Sequence, residues 1–579
     1  MHVLKDCAAQ GLVVAPQLAA EAVRLLLANP ETAAGQAELR ASCVRFLMDK
    51  TAPGLAATRM RIAFRRKYRT PGATAAEQAR NTESRMAPIL AEVLSVAGEG
   101  APTGGADDLA PPFLAPPRGA RKADREDYKQ RLYGSVVAAA VLRSGLGSPA
   151  DPAVMKEASA AMQSVYPAKD LPHLLRLAPE ARRAQLLEVC RISAGIRIFN
   201  WDCRKAGHGL LDLPGLVQEA AAVTLEQLRS AVDAVEAQLW PATRALEVLY
   251  QGKGEANWPE SDVDLLKDTV VYLRQQQVLF RRLLEDVEQV GAEVRRLTGA
   301  LQAGLSGVHT VVQAKTAVPT NEVYPQFVSL ASTWEALEAQ AVVVSKAANL
   351  HRRLQAYTRG VRTVEAAVID GILEGDAVGP PPTDGERVSS ALPPPPSHSD
   401  KQLEAARRRL ARDMGRGDVA AELQGFCPWF LAVSGGGLVP GCPALGLCEA
   451  AGGVGTRLYA LSSLDAADLF CTDPNSWTQR ALAEVRRRPA LVGLLELSAA
   501  LQPAAPPNDT ACASTQTEES AYRRESVAQT FPLRDAAVQC PRTVACSAGP
   551  FLAAGIVDVE SLFKLNSETC YFSVMFFEC

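Results

Sequence analysis

"FRRLLEDVEQVGAEVRRLTGAL", Phe280–Leu301, sets the architecture of this 579-residue chain. Its apolar residues Phe280, Leu283, Val287, Val290, Val294, Leu297 and Leu301 recur at alternating steps of three and four. That spacing puts them on one stripe of an α-helix, and a stripe this long is a seam that other helices must cover. The pattern predicts a helix from Ser261 to about Lys315, roughly 80 Å long at 1.5 Å per residue, packed in a coiled-coil-like hairpin. Ser261 and Asp264 read as a capping pair at its start. Gly299, Gly304 and Gly307 weaken its far end, each by about 1 kcal/mol relative to alanine.

The same periodicity continues on both sides. "GLVQEAAAVTLEQLRSAVDAVEAQLW" predicts the preceding helix, bent at Pro241, and "FVSLASTWEALEAQAVVVSKAANLHRRLQAY" the following one. The chain therefore reads as mainly α. An N-terminal helical region (1–97) and a Gly/Pro linker (98–119) lead to a helical domain (120–210). A long helical bundle or coiled coil (211–370), a Pro-rich linker (371–400), a small α/β module (401–500) and a mostly disordered tail (501–579) follow. In the module, "WFLAVS", "ALGLCEA" and "TRLYALSS" read as short strands, with "SGGGLVPG" as a hairpin turn. Ser462 and Asp465 read as the cap of the next helix. The second linker would leave the module free to choose its orientation.

Composition narrows the class. Hydrophobic residues make up 47% and charged residues 22%, ordinary values for a globular chain. The net charge of −3 hides an asymmetry: residues 1–92 hold 13 Lys/Arg against 8 Asp/Glu, and residues 210–300 hold 9 against 15. Thirteen scattered cysteines lack a disulfide framework, no signal segment opens the chain, and no apolar run approaches the roughly 20 residues that span a bilayer. The expectation is a soluble, reduced, cytoplasmic protein without a membrane partner.

Five features could carry chemistry or a contact. Cys203 and His208, five residues apart in "GIRIFNWDCRKAGHGLLDLP", could form a thiolate–imidazolium dyad, but the stretch supplies no orienting third group and its glycines suit a turn. Cys427, Cys442, Cys448 and Cys471 lack the short knuckle of a zinc site, and "SGGGLVPG" lacks the Gly-Lys-Ser/Thr ending of a phosphate loop. No cofactor or metal is expected. The run "RMRIAFRRKYR" places Arg59, Arg61, Arg65, Arg66, Lys67 and Arg69 within eleven residues, interleaved with Phe64 and Tyr68. It reads as a solvated helix face or as a contact for an acidic surface, nucleic acid or the tails of tubulin; the weak overall charge disfavours nucleic acid. Thr515, Gln516 and Thr517, echoed around Gln529 and Gln539, resemble strand-forming peptides that add to a partner's sheet edge.

"AVLRSGLGSPAD", "GIRIFNWDCRKAGHGLLDLP", "KTAVPTNEVYPQFVSLASTW" and "GFCPWFLAVSGGGLVPGCPALG", with "CAAQGLVV" and "STQT", together resemble the cilia- and flagella-associated protein 206 family. The resemblance implies a non-catalytic scaffold of the axonemal cytoskeleton. It would dock the second radial spoke, through radial spoke subunits, and an inner-arm dynein on the doublet microtubule (tubulin). In that setting the tail peptide would suit a dynein light-chain hub. A cytosolic coiled-coil tether and a Cys203/His208 hydrolase are the alternatives.

Overall fold

The computed structural model describes residues 2–95, 122–250, 258–314, 319–374, 379–388, 421–445, 447–452 and 455–501. Three long helices, Leu213–Tyr250, Glu260–Ala314 and Thr320–Gln355, form its backbone. The middle one has 55 residues, so it is about 80 Å long, as its seam predicts. All seven seam residues are at most 4% exposed. Its start differs from expectation. Ser261 already lies in the first turn, and Asp264 instead accepts from Arg488 Nη2 at 2.6 Å and Lys267 Nζ at 3.3 Å. The glycines do not end the helix. A Cβ on Gly304 would come within 2.8 Å of Leu330 Cδ2, so lost helix propensity there is exchanged for close approach of the third helix. Pro241 lies inside the first long helix, which runs on to Tyr250.

The chain divides into two compact units built from discontinuous segments, not into consecutive domains. Among the described residues, 1–67, 228–282 and 351–501 belong to the first, and 68–227 with 283–350 to the second. Each long helix thus contributes to both.

In the first unit, helices His2–Ala9, Pro16–Leu26, Gln36–Met48 and Pro53–Lys67 enclose a core of Val3, Cys7, Ala22, Leu26, Cys43 and Leu47. The C-terminal residues add an antiparallel strand pair, β1 (Leu447–Gly452) and β2 (Gly455–Ala460), with Leu447 opposite Ala460. "WFLAVS" is not a strand. Pro428 at the first turn presets a helical φ, Cys427 Sγ accepts from the Phe430 amide, and Ser434 Oγ donates to the Phe430 carbonyl, so Pro428–Val433 is a helix. Gly435 and Gly436, at φ +66° and +106°, follow its end where a hairpin turn was expected. Ser463, not Ser462, caps the next helix by accepting from the Ala466 amide.

Nor is the C-terminal module free to turn. Arg488 donates to Asp264 and, at 2.7 Å, to Asp268, while helix Pro489–Leu494 packs on Pro16–Leu26 and Pro53–Lys67. Within the segment read as a second linker, Asp384 and Arg387 are buried. Asp384 meets Arg274 and Gln277, and Arg387 meets Glu247 at 3.0 Å.

His351, 2% exposed and edge-on to Phe280, has no hydrogen-bond partner on either ring nitrogen among the described residues. Burial holds its pKa down at about 4. The unfolded ring, near 6.5, takes its proton first, so stability is full above that pH and falls as pH drops towards 4. His351→Leu should flatten the pH dependence of unfolding between about 6.5 and 4, measured by urea titration at stepped pH.

The second unit packs helices Pro71–Ile89, Lys122–Ser144, Pro152–Val165 and Pro179–Asp202 around Leu132, Val137, Val154, Met162, Leu174 and Leu186. Arg182, fully buried, donates to the carbonyls of Leu175, Leu177 and Val93 and joins three segment ends. Glu335 is shared by Arg143 and Arg191 at 3.5 and 2.9 Å.

Candidate functional site

The Cys203/His208 stretch is a clamp between chain segments. Helix Pro179–Asp202 ends with Cys203 as its cap, and Gly207 and Gly209 turn the chain at φ +145° and +77°. Arg197, buried on the last turns of the helix, donates to Leu146 O at 2.7 Å and His208 O at 3.0 Å. Burial lowers its pKa to about 10, opposed by the charge of Glu157. The Glu157 carboxylate accepts from the amides of Gly207 and His208, each at 3.2 Å. A Cβ on Gly209 would lie 2.7 Å from Gly147 Cα, so only glycine fits there. At the other edge Asp202 meets His309 Nε2 at 2.7 Å, and Phe199 packs on the same imidazole with centroids 4.8 Å apart.

A catalytic dyad needs the thiol and the imidazole in hydrogen-bond contact. Among the described residues no hydrogen bond joins Cys203 to His208. The His208 side chain is 66% exposed, with Glu157 Oε1 3.7 Å away. Cys203→Ala and His208→Ala should each shift stability by less than about 0.5 kcal/mol. Glu157→Ala, which removes the acceptor of two amides and the carboxylate 3.9 Å from Arg197, should cost about 2 kcal/mol. Thermal unfolding of the three variants checks this.

The basic run is split by the fold. Helix Pro53–Lys67 turns Arg61 inward, where it pairs with Glu21, and Gly493 packs so close that a Cβ would sit 2.5 Å from Arg61 Cζ. Arg61 is 5% exposed, and burial and Arg65 lower its pKa to about 10. It is a structural residue and cannot face an acidic surface. Phe64 is buried as well. Arg65 is half-buried, 3.8 Å from Glu21 and 3.7 Å from Glu496. Arg66, Lys67 and Arg69 are exposed, and Arg59 lies over the Tyr357 ring at 5.0 Å. Arg59, Arg66 and Lys67 share one groove with Lys50 and Arg353. Lys50 and Arg353 escaped the sequence reading because no local pattern links positions three hundred residues apart.

The four cysteines of the C-terminal residues do not converge. Cys448 Sγ lies 3.0 Å from Cys471 Sγ, whereas Cys442 Sγ donates to Val388 O, and no group of three metal-ligating side chains occurs among the described residues. Thr515, Gln516 and Thr517 lie outside the described residues.

Helices fastened to one another by buried ion pairs and a glycine-bearing clamp define a helical scaffold. A family model described as a domain of unknown function, FAP206, matches residues 216–502. Mouse cilia- and flagella-associated protein 206 is 28% identical over 508 residues, covering 85% of this chain and 75% of the relative. The bovine protein of that name is 28% identical over 505 residues, with the same coverage. That of Tetrahymena thermophila is 24% identical over 347 residues, covering 59% of this chain and 52% of its own. The resemblance read from the sequence is borne out: this chain is similar along 85% of its length to proteins named cilia- and flagella-associated protein 206. No solved structure matches it.

Proposed function

We propose that this chain is a non-catalytic scaffold of the ciliary or flagellar axoneme, docking the second radial spoke and an inner-arm dynein on the doublet microtubule. The observation that carries the reading is similarity along 85% of the chain to proteins named for cilia and flagella. The build agrees with it. Polar residues that could suggest chemistry are consumed in holding helices together, and no helix of the described residues is long and apolar enough to cross a membrane. Each of the two units offers helical surfaces to a partner. Arg66, Lys67 and Arg69 are the residues offered to tubulin, and Thr515–Thr517 the peptide offered to a dimeric light-chain hub.

Electron tomography of axonemes lacking the protein tests this. The expected result is loss of one spoke type with doublets intact and a weakened beat. All spokes present at their normal positions would sink the docking role.

A further inference from the structure

The groove beside the basic helix differs in its charges from a second groove on the first unit. It has a volume of about 660 Å³, within the usual range of ligand sites. Gly11, at φ +77°, ends the first helix and lets residues 12–15 run along one side, and helix Pro53–Lys67 forms another. The floor is apolar: Leu18, Leu47, Leu55 and Ile62 line it, and Val13, 97% exposed, stands in its wall. Five cations surround that floor, namely Lys50, Arg59, Arg66, Lys67 and Arg353, and no carboxylate lines it. Among the described residues, none of Lys50, Arg66, Lys67 and Arg353 has a carboxylate partner.

A second groove on this unit shows the contrast. There Arg40 is held by Asp6 through two hydrogen bonds of 2.8 and 2.9 Å, and Arg45 by Glu38 at 2.7 Å, so its cations are neutralised within the chain. Lys50, Arg66, Lys67 and Arg353 of the first groove are left for something else. Unpaired cations crowded round apolar side chains repel one another and gain by an anionic occupant. A single phosphate would meet one or two of them and leave the apolar floor empty. A peptide strand carrying several carboxylates and one apolar side chain satisfies both.

We infer that this groove binds an acidic peptide of a partner protein, its glutamates facing Lys50, Arg66, Lys67 and Arg353 and one apolar or aromatic side chain on the Leu47/Leu55 floor. Arg59 is already stacked on Tyr357 and so braces the wall. The inference rests on the axonemal reading only for where such a peptide is met; the binding itself is a property of the isolated chain.

Fluorescence anisotropy with the full chain and a labelled Glu-Glu-Gly-Glu-Glu-Tyr peptide tests it. Saturable binding that weakens as salt rises is expected. Lys67→Glu with Arg353→Glu should weaken it about tenfold or more, since two attractive pairs become repulsive. Arg40→Glu with Arg45→Glu, in the neutralised groove, should leave it within about twofold. The unaltered protein gives a check independent of folding: replacing the peptide's glutamates by glutamine, or its tyrosine by alanine, should each weaken binding several-fold.

Equal losses from both groove variants would overturn the site, because attraction would then be general. So would indifference to the tyrosine, or binding of phosphatidylserine vesicles that depends on Lys67 and Arg353 while the peptide does not bind. Absence of peptide binding would remove this site and leave the docking role standing. Normal spokes in the null axoneme would do the reverse.

Discussion

Asp384→Ala will lower the stability of the first unit by about 3–5 kcal/mol, the usual cost of breaking a buried ion pair from one side. Arg274 is fully buried and aims both terminal nitrogens at this carboxylate, Nη2 donating at 2.8 Å, while Gln277 Nε2 donates at 3.0 Å. Without the carboxylate, the guanidinium keeps only Gln277 at 3.0 Å and Thr243 at 3.4 Å as side-chain acceptors, and a buried charge is stranded. Arg274→Met with Asp384→Leu should cost less than Asp384→Ala alone, because both charges leave together. Chemical denaturation, with hydrogen exchange read on residues 379–388, separates these outcomes.

The same pair predicts a pH response. Burial pushes the Asp384 carboxyl upward, but Arg274, Gln277 and Arg387 outweigh it and hold its pKa below the ordinary value. The stabilisation is complete above the unfolded pKa, near 3.9, and is lost as pH falls through the lower folded value. Asp384→Asn should remove that acid-side slope.

The second large effect belongs to the other unit. Gly195→Ala should cost about 3 kcal/mol or more, at the upper end of overpacking. At this point of helix Pro179–Asp202 a Cβ would strike the Phe327 carbonyl and lie 2.6 Å from Phe327 Cα. The obstacle is backbone, which a rotamer change cannot move. Phe327→Ala should therefore fail to rescue Gly195→Ala, whereas Gly299→Ala, with nothing within 4 Å of the added Cβ, should be neutral or mildly stabilising. Calorimetry of the three variants decides it. Rescue by Phe327→Ala would show that the clash is with a side chain.

If 401–500 were an independent module, removing it would leave the rest folded. Helix Pro489–Leu494 instead covers Pro16–Leu26 and Pro53–Lys67, and Arg488 answers Asp264 and Asp268. Truncation before Asp400 would expose those faces and leave two acidic side chains of the long helix without their arginine.

Local rules were enough for much of this protein. The seam from Phe280 to Leu301, the long helices on either side, the strand pair at 447–460 and the mainly helical class all follow from periodicity and turn residues, because an apolar stripe of fixed period has one cheap way to be buried. The quoted strings were enough for the resemblance to cilia- and flagella-associated protein 206. Tertiary structure decided the rest. Arg61 and Arg66 look alike in sequence, yet one faces Glu21 and Gly493 and the other the solvent, since a helix has two sides and only packing chooses between them. The Cys203/His208 stretch reads as a turn in the sequence, but that Glu157 and Arg197 hold it is visible only in the fold. The 379–388 stretch looked like spacer until Asp384 met Arg274 across more than a hundred residues. Burial, ion pairing and the cationic groove join distant positions, and no local pattern of residues encodes which distant positions meet.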